Sequence, residues 1–239
     1  MIVSINQPAY IPWLGYFHRI AVSDVHIVLD HVQFEKNSFT NRNKVRTSNG
    51  WSWLTVPVKT KNRFGNLSIK SLEIENQPNW KQKHWKTLLN NYRKAPYFEM
   101  YSSFFLSVYQ KEWQTLNDLC QIVTSYLLDT LGIKTRILFS SQMNPQGLKD
   151  SLVLDLCQKV NAQTYLSGAL GKNYLREEIF EEAGIQVTYQ DYHHPQYEQC
   201  QSGDFEPFLS AIDLIFNHGP DSLKILTEGQ DFLLPGNEK

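Results

Sequence analysis

The feature that most restricts this chain is a pair of short β-branched runs with one helical stretch between them. IVSIN, residues 2–6, stops at Gln7 and Pro8, and VHIVLD, residues 25–30, follows a segment in which Trp13, Phe17 and Ile20 recur at helical spacing. Two buried strands joined through a helix run parallel, because the crossover returns the chain to the end of the sheet where it began. The last third repeats the alternation: RILFSS, SLVLDLCQKV, TYLSG, GKNYLREEIFEEAG and IQVTYQDY read as strand, helix, strand, helix and strand. This pattern predicts an α/β fold, a Rossmann-like, mainly parallel sheet flanked by helices.

The middle of the chain breaks the pattern. NKVRTSNGWSWLTVPVK alternates around Asn49-Gly50, a favoured two-residue turn, and predicts an inserted β-hairpin, while NLSIKSLEI reads as a further strand. From Trp80 the spacing is helical, with Trp85, Leu88, Leu89 and Tyr92 on one face, then YFEMYSSFFLSVYQ, then a long helix from Glu112 to Leu131 closed by Gly132. The expectation is a single α/β domain over residues 1–239, with a hairpin-containing insertion at about 40–75 and a central helical segment at about 79–131. The tail after Gly229 reads as frayed.

Charge and cysteine content narrow the function. The formal net charge of -1 supplies no field for nucleic acid or an anionic membrane surface. MIVSINQP lacks the basic start of a signal peptide, and no apolar run approaches the ~20 residues of a membrane span, so a cytoplasmic protein is expected. Cys120, Cys157 and Cys200 are widely spaced and have no histidine at metal-ligand spacing; Cys120 and Cys157 fall on apolar helix stripes and read as buried free thiols. No metal site is predicted. Nor is there a nucleophile elbow, a zinc-protease helix or a dinucleotide fingerprint, which argues against hydride transfer and metal proteolysis.

In an open parallel sheet, ligands collect at the carboxyl ends of the strands. The loop QPAYIPWLGY offers Gln7 and Tyr10 as hydrogen-bonding groups, Trp13 as an aromatic surface and Gly15 for close approach. DHVQFEKNSFTNRNK supplies Asp30 as a proton acceptor, and Gln33, Asn41, Arg42 and Lys44 as partners for phosphate oxygens. YLSGALGKNYL places Ser167 and Gly168 after a strand and Lys172 at an expected helix start, with Tyr174 beyond. His193 and His194 follow the last strand, where an imidazole can serve as general base. The catalytic candidates are therefore Asp30, His193 and His194.

The opening QPAYIPWLGYFHRIAVSDVHIVLDHVQFEKNSFTNRNKV, the following WLTVPV, YLSGALGKNYL, the F-x-x-AGIQV segment and FLSAIDLIFNHG resemble the WbqC-like family, from near the N-terminus to about Gly219. The resemblance implies a bacterial protein associated with surface polysaccharide or O-antigen gene clusters. The order of strand, QP-rich loop, helix and strand is also similar to the entry of the nucleotide-binding superfamily that includes pantothenate synthetases and nucleotidyltransferases. In this chain Trp13-Leu14-Gly15-Tyr16 stands where those enzymes carry their HxGH histidines, which counts against adenylyl transfer. The expected activity is acyl or aminoacyl transfer to the amino group of a nucleotide-linked sugar, with an acyl-CoA or aminoacyl carrier as donor. The alternatives are a nucleotidyltransferase-like enzyme and a non-catalytic sugar-nucleotide binding protein. A homo-oligomer is left open.

Overall fold

The computed structural model describes residues 1–60, 67–75 and 79–230. Strands β1 (Ile2–Asn6), β2 (Val25–Val28), β5 (Arg136–Phe139), β6 (Thr164–Ser167) and β7 (Gln186–Tyr189) form one sheet in the order β5-β2-β1-β6-β7, parallel at every pairing. Taken in chain order, these strands follow the 3-2-1-4-5 sequence of doubly wound folds. The chain moves outward from β1 through α1 (Leu14–Ala21) to β2 and later β5, then crosses back over β1 to reach β6. The switch point therefore lies between β1 and β6.

Alternation along β1 explains the two layers. Val3 and Ile5 face one side, where they join Val25, Ile27 and the Leu152, Val153, Leu156 and Cys157 face of α5 (Asp150–Lys159), with Phe180 of α6 (Glu177–Glu182). Ser4 faces the other side. Its hydroxyl lies 2.8 Å from His26 Nδ1, and the Ser23 hydroxyl donates to it at 2.8 Å. Beyond that layer α1 shares one apolar core with α2 (Trp80–Tyr92), α3 (Phe98–Gln110), α4 (Leu116–Leu131) and α7 (Ala211–His218), in which Leu14, Phe17, Phe105, Leu127 and Phe216 are fully buried. A short helix α8 (Ser222–Thr227) ends the described chain.

Among the expected elements, the hairpin is present as β3 (Arg42–Thr47) and β4 (Gly50–Thr55). Thr47 pairs with Gly50, so the loop is Ser48-Asn49 and Gly50, at φ +102°, opens β4 instead of sitting within the turn. Leu67 to Ile74 is not a strand. Isolated bridges at Ser68, Glu73 and Ile74 flank a 3-10 turn at Ile69–Ser71, because the segment threads between separate partners instead of lying along one edge. Asn66 lies outside the described residues.

The long helix starts at Leu116 rather than Glu112, since the Thr115 hydroxyl caps it by accepting the Asp118 amide. Gly132 ends it at φ +72°, as its position suggested. Residues 171–184 are not one helix: a 3-10 turn, Ala169–Asn173, precedes the short α6. Among the described residues no helix is long and apolar enough to cross a membrane. Cys120 and Cys157 are buried free thiols, and burial pushes Cys157 up to about 12.

Candidate functional site

The loop that leaves β1 is held under strain. Ile11, fully buried and β-branched, sits at φ +41°, a conformation such residues rarely adopt. Asn43 Nδ2 donates to the Ile11 carbonyl at 2.9 Å and fixes it. Two residues on, the Trp13 indole folds over Gly15, where a β-carbon would overlap the ring; glycine is needed there for the close approach that the sequence suggested. Trp13 meets Tyr192 edge to face, with ring centroids 5.6 Å apart.

These residues form one side of a cavity of about 480 Å³ at the carboxyl ends of β1, β6 and β7. The switch point thus opens where its topology requires, between the crossovers on opposite faces of the sheet. Polar groups are supplied by Asn6, Gln7, Arg19, Gln190 and Asp191, and aromatic surface by Trp13, Tyr165, Tyr174 and Tyr192. Gly168 to Gly171 close the remaining side. The volume falls within the ~300–1,000 Å³ typical of small-molecule sites.

Arg19 dominates the electrostatics. It projects from α1 toward the end of β1, and its Nη2 donates to Asn6 Oδ1. Its Nη1 lies where a side chain on residue 168 would begin, so Gly168 is what admits the guanidinium. Among the described residues no carboxylate pairs with Arg19, while its Nε and the Asn6 Nδ2 are buried without partners. Arg19 as a whole is partly buried, so it bears a fraction of the penalty of several kcal/mol that a fully buried ion without a counter-ion carries. Burial draws Arg19 below its ordinary range. Burial first, and the Arg19 charge second, lower His18 to about 4 and His26 to about 3, so both rings are neutral near pH 7.

Gln190 and Asp191 complete this edge. Gln190 Nε2 donates to the Gly15 carbonyl at 2.9 Å and lies 3.0 Å from His18 Nδ1, tying the end of β7 to α1. Asp191 is exposed and lines the same cavity as Arg19.

Of the residues singled out from sequence, Gln7, Trp13, Gly168 and Tyr174 line this cavity, with Ser167 buried beside Gly168. The others lie elsewhere. Tyr10 is fully buried in the core, its hydroxyl bonded to His84 Nδ1 and the Tyr109 hydroxyl. Gln33 Oε1 accepts the Leu67 amide, and Asn41 Nδ2 donates to the Val56 carbonyl, so both bind backbone. Arg42 and Lys44 share one face of the hairpin: the guanidinium carbon stands 4.4 Å from the Trp53 ring centre and Lys44 Nζ 4.2 Å from that of Trp51.

Lys172 lies over Tyr189 at 5.4 Å, in the 3-10 turn and not at a helix start. His193 is exposed, and its amide donates to Gln230. His194 is enclosed by Tyr192, Tyr197, Phe205 and Phe208, with Nδ1 2.9 Å from the Pro195 carbonyl and Nε2 buried without a partner. Asp30 is buried, and its carboxylate accepts the Ser140 hydroxyl and the Ser141 amide and hydroxyl at 2.8–3.0 Å.

Arg19, Asn6, Gln190, Asp191 and Tyr192 were missed from sequence. The sign available for Arg19 was its charge inside FHRIA, an otherwise apolar helical stretch.

The fold is that of an α/β protein, a doubly wound parallel sheet with a cavity at its switch point that is lined by one arginine and several aromatic rings. The chain belongs to the WbqC-like protein family, whose model matches residues 7–225. It is also 37% identical over 227 residues to the uncharacterized protein Rv1507c of Mycobacterium tuberculosis, an alignment that covers 93% of this chain and 97% of that one. No solved structure matches the chain.

Proposed function

We propose that the chain is a transferase of bacterial surface polysaccharide biosynthesis that carries an acyl or aminoacyl group to the amino group of a nucleotide-linked sugar. The observation that carries this reading is the unpaired Arg19 guanidinium in the switch-point cavity, which suits a phosphate better than any group of this chain around it. Trp13, Tyr174 and Tyr192 offer flat surfaces to a nucleobase or pyranose ring, and Asp191 offers a carboxylate to an ammonium group.

In the transfer, the amine nitrogen bonds to the acyl carbon of a thioester or ester donor while the bond from that carbon to the carrier's sulfur or oxygen breaks. The carrier leaves with the electron pair, and the surplus proton on nitrogen passes to a base. Positioning of the two reactants supplies most of the acceleration.

Thermal shift of the full chain against a panel of nucleotides, nucleotide sugars and nucleotide amino sugars tests the reading. Stabilisation by a nucleotide amino sugar, abolished in Arg19→Met, is the expected result. Failure of every nucleotide sugar to raise the midpoint would overturn it, and a response to ATP with Mg²⁺ alone would favour nucleotidyl transfer.

A further inference from the structure

Beside the cavity, at the carboxyl ends of β2 and β5, Asp30, Ser140 and His31 form a hydrogen-bonded chain. The fully buried Ser140 hydroxyl lies 3.0 Å from Asp30 Oδ1, 3.1 Å from the Asp30 amide nitrogen and 2.7 Å from His31 Nδ1. Counting protons leaves one arrangement. A hydroxyl has one proton and two lone pairs, and a carboxylate oxygen only accepts. The Asp30 amide fills one lone pair, the hydroxyl proton goes to Oδ1, and the second lone pair receives a proton from His31 Nδ1. The reverse assignment would set a lone pair against Oδ1 at 3.0 Å.

The chain therefore holds neutral His31 as its Nδ1–H tautomer, with the lone pair on Nε2. That ring is half-buried, and its hydrogen bond among the described residues is made at Nδ1, to Ser140. Ser141 donates its amide at 2.9 Å and its hydroxyl at 2.8 Å to the same carboxylate, which fixes Asp30 in place as the anchor.

We infer that His31 is the proton-accepting residue of this site, that Ser140 and Asp30 are positioning residues behind it, and that the substrate presents an N–H or O–H to Nε2. One proton moves to Nε2, and the resulting imidazolium faces the Asp30 carboxylate through Ser140. The cavity is close by: the Leu29 amide donates to Asn6 at 2.7 Å and both residues line the cavity. His31 follows Leu29 by two residues, which span at most ~7 Å. The inference rests on the proposed transfer and supplies the base that it needs.

Nitrogen-15 NMR of the full chain at neutral pH reads the tautomer directly. His31 is expected as a single Nδ1–H state that Ser140→Ala turns into a mixture. Diethyl pyrocarbonate, mapped by mass spectrometry, is expected to acylate His31 at Nε2 before the buried His18, His26 and His84. With a nucleotide amino sugar and a thioester donor, His31→Gln should lower turnover by ~10²-fold or more, leaving the thermal stabilisation by the nucleotide sugar unchanged.

An Nε2–H tautomer in the wild type, an unreactive His31 ring, or undiminished turnover in His31→Gln would each overturn the inference. If the wild type binds no nucleotide sugar, the transfer reading fails by itself, and the tautomer and acylation results still decide His31.

Discussion

Arg19 occupies the space that a side chain at residue 168 would need, so that a β-carbon on Gly168 would overlap Nη1. The overlapped atom is the far end of a flexible side chain, and the backbone at 168 is extended at φ -70°. Gly168→Ala should therefore displace the guanidinium without unfolding the chain, keeping stability within about 1 kcal/mol of wild type. Ligand-induced stabilisation should be lost. In Arg19→Met the same alanine should add no further loss of binding, a non-additivity that a double-mutant thermal-shift cycle measures.

Arg19→Met by itself tests the unpaired charge. Replacing a partly buried charge that lacks a counter-ion with an apolar chain of similar length removes part of a desolvation penalty, so the unliganded variant should be at least as stable as wild type in urea unfolding. A loss of more than about 2 kcal/mol would mean that Arg19 is held for structure.

The buried histidines set an acid limit. His18 and His26 titrate at about 4 and about 3 in the folded protein, below the ordinary histidine value, because burial and then Arg19 oppose their charge. The unfolded chain binds these protons near pH 6.5, so between 6.5 and 4 it holds more protons than the folded chain, and stability rises with pH. The contribution is complete above about pH 6.5 and falls as pH drops, by on the order of 3 kcal/mol for His18 and on the order of 5 kcal/mol for His26 at the low end. His18→Gln keeps an acceptor for Gln190 and should flatten the slope of unfolding free energy against pH in that window.

Asp213 anchors the loop that carries Tyr192 and His194. Its carboxylate accepts the Tyr92 hydroxyl at 2.8 Å, and the Tyr197 hydroxyl and Gln199 Nε2 at 2.9 Å, in a fully buried position. Asp213→Ala strands three donors and should cost roughly 3–5 kcal/mol in chemical denaturation. Asp213→Asn retains one oxygen acceptor and should cost less. Hydrogen exchange over residues 197–206 should quicken in the alanine variant.

The frame of the molecule was readable because the parallel strands are short runs rich in β-branched and other apolar residues and the helices between them are periodic. The rule that ligands gather at carboxyl strand ends then selected Gln7, Trp13, Gly168 and Tyr174, which the cavity does bring together. Arg19 escaped because its helix reads as a core element, and only the tertiary fold shows that one position of α1 overhangs the switch point. Arg42 and Lys44 misled for the opposite reason: cations beside asparagines resemble a phosphate site, but the cations cover tryptophans and Asn41 and Asn43 hold backbone carbonyls. The segment after β7 drew attention through His193 and His194, whereas the cavity is lined by Asp191 and Tyr192 just before them.

The pairing of β1 with β6 joins Ile2 to Thr164 at the centre of the sheet. During synthesis at ~5–20 residues per second, β1 and β2 wait on the order of ten to thirty seconds before the strand that completes their other flank leaves the ribosome. The apolar face of the first βαβ unit is exposed through that interval, so chaperone demand should concentrate on the nascent chain rather than on the finished protein.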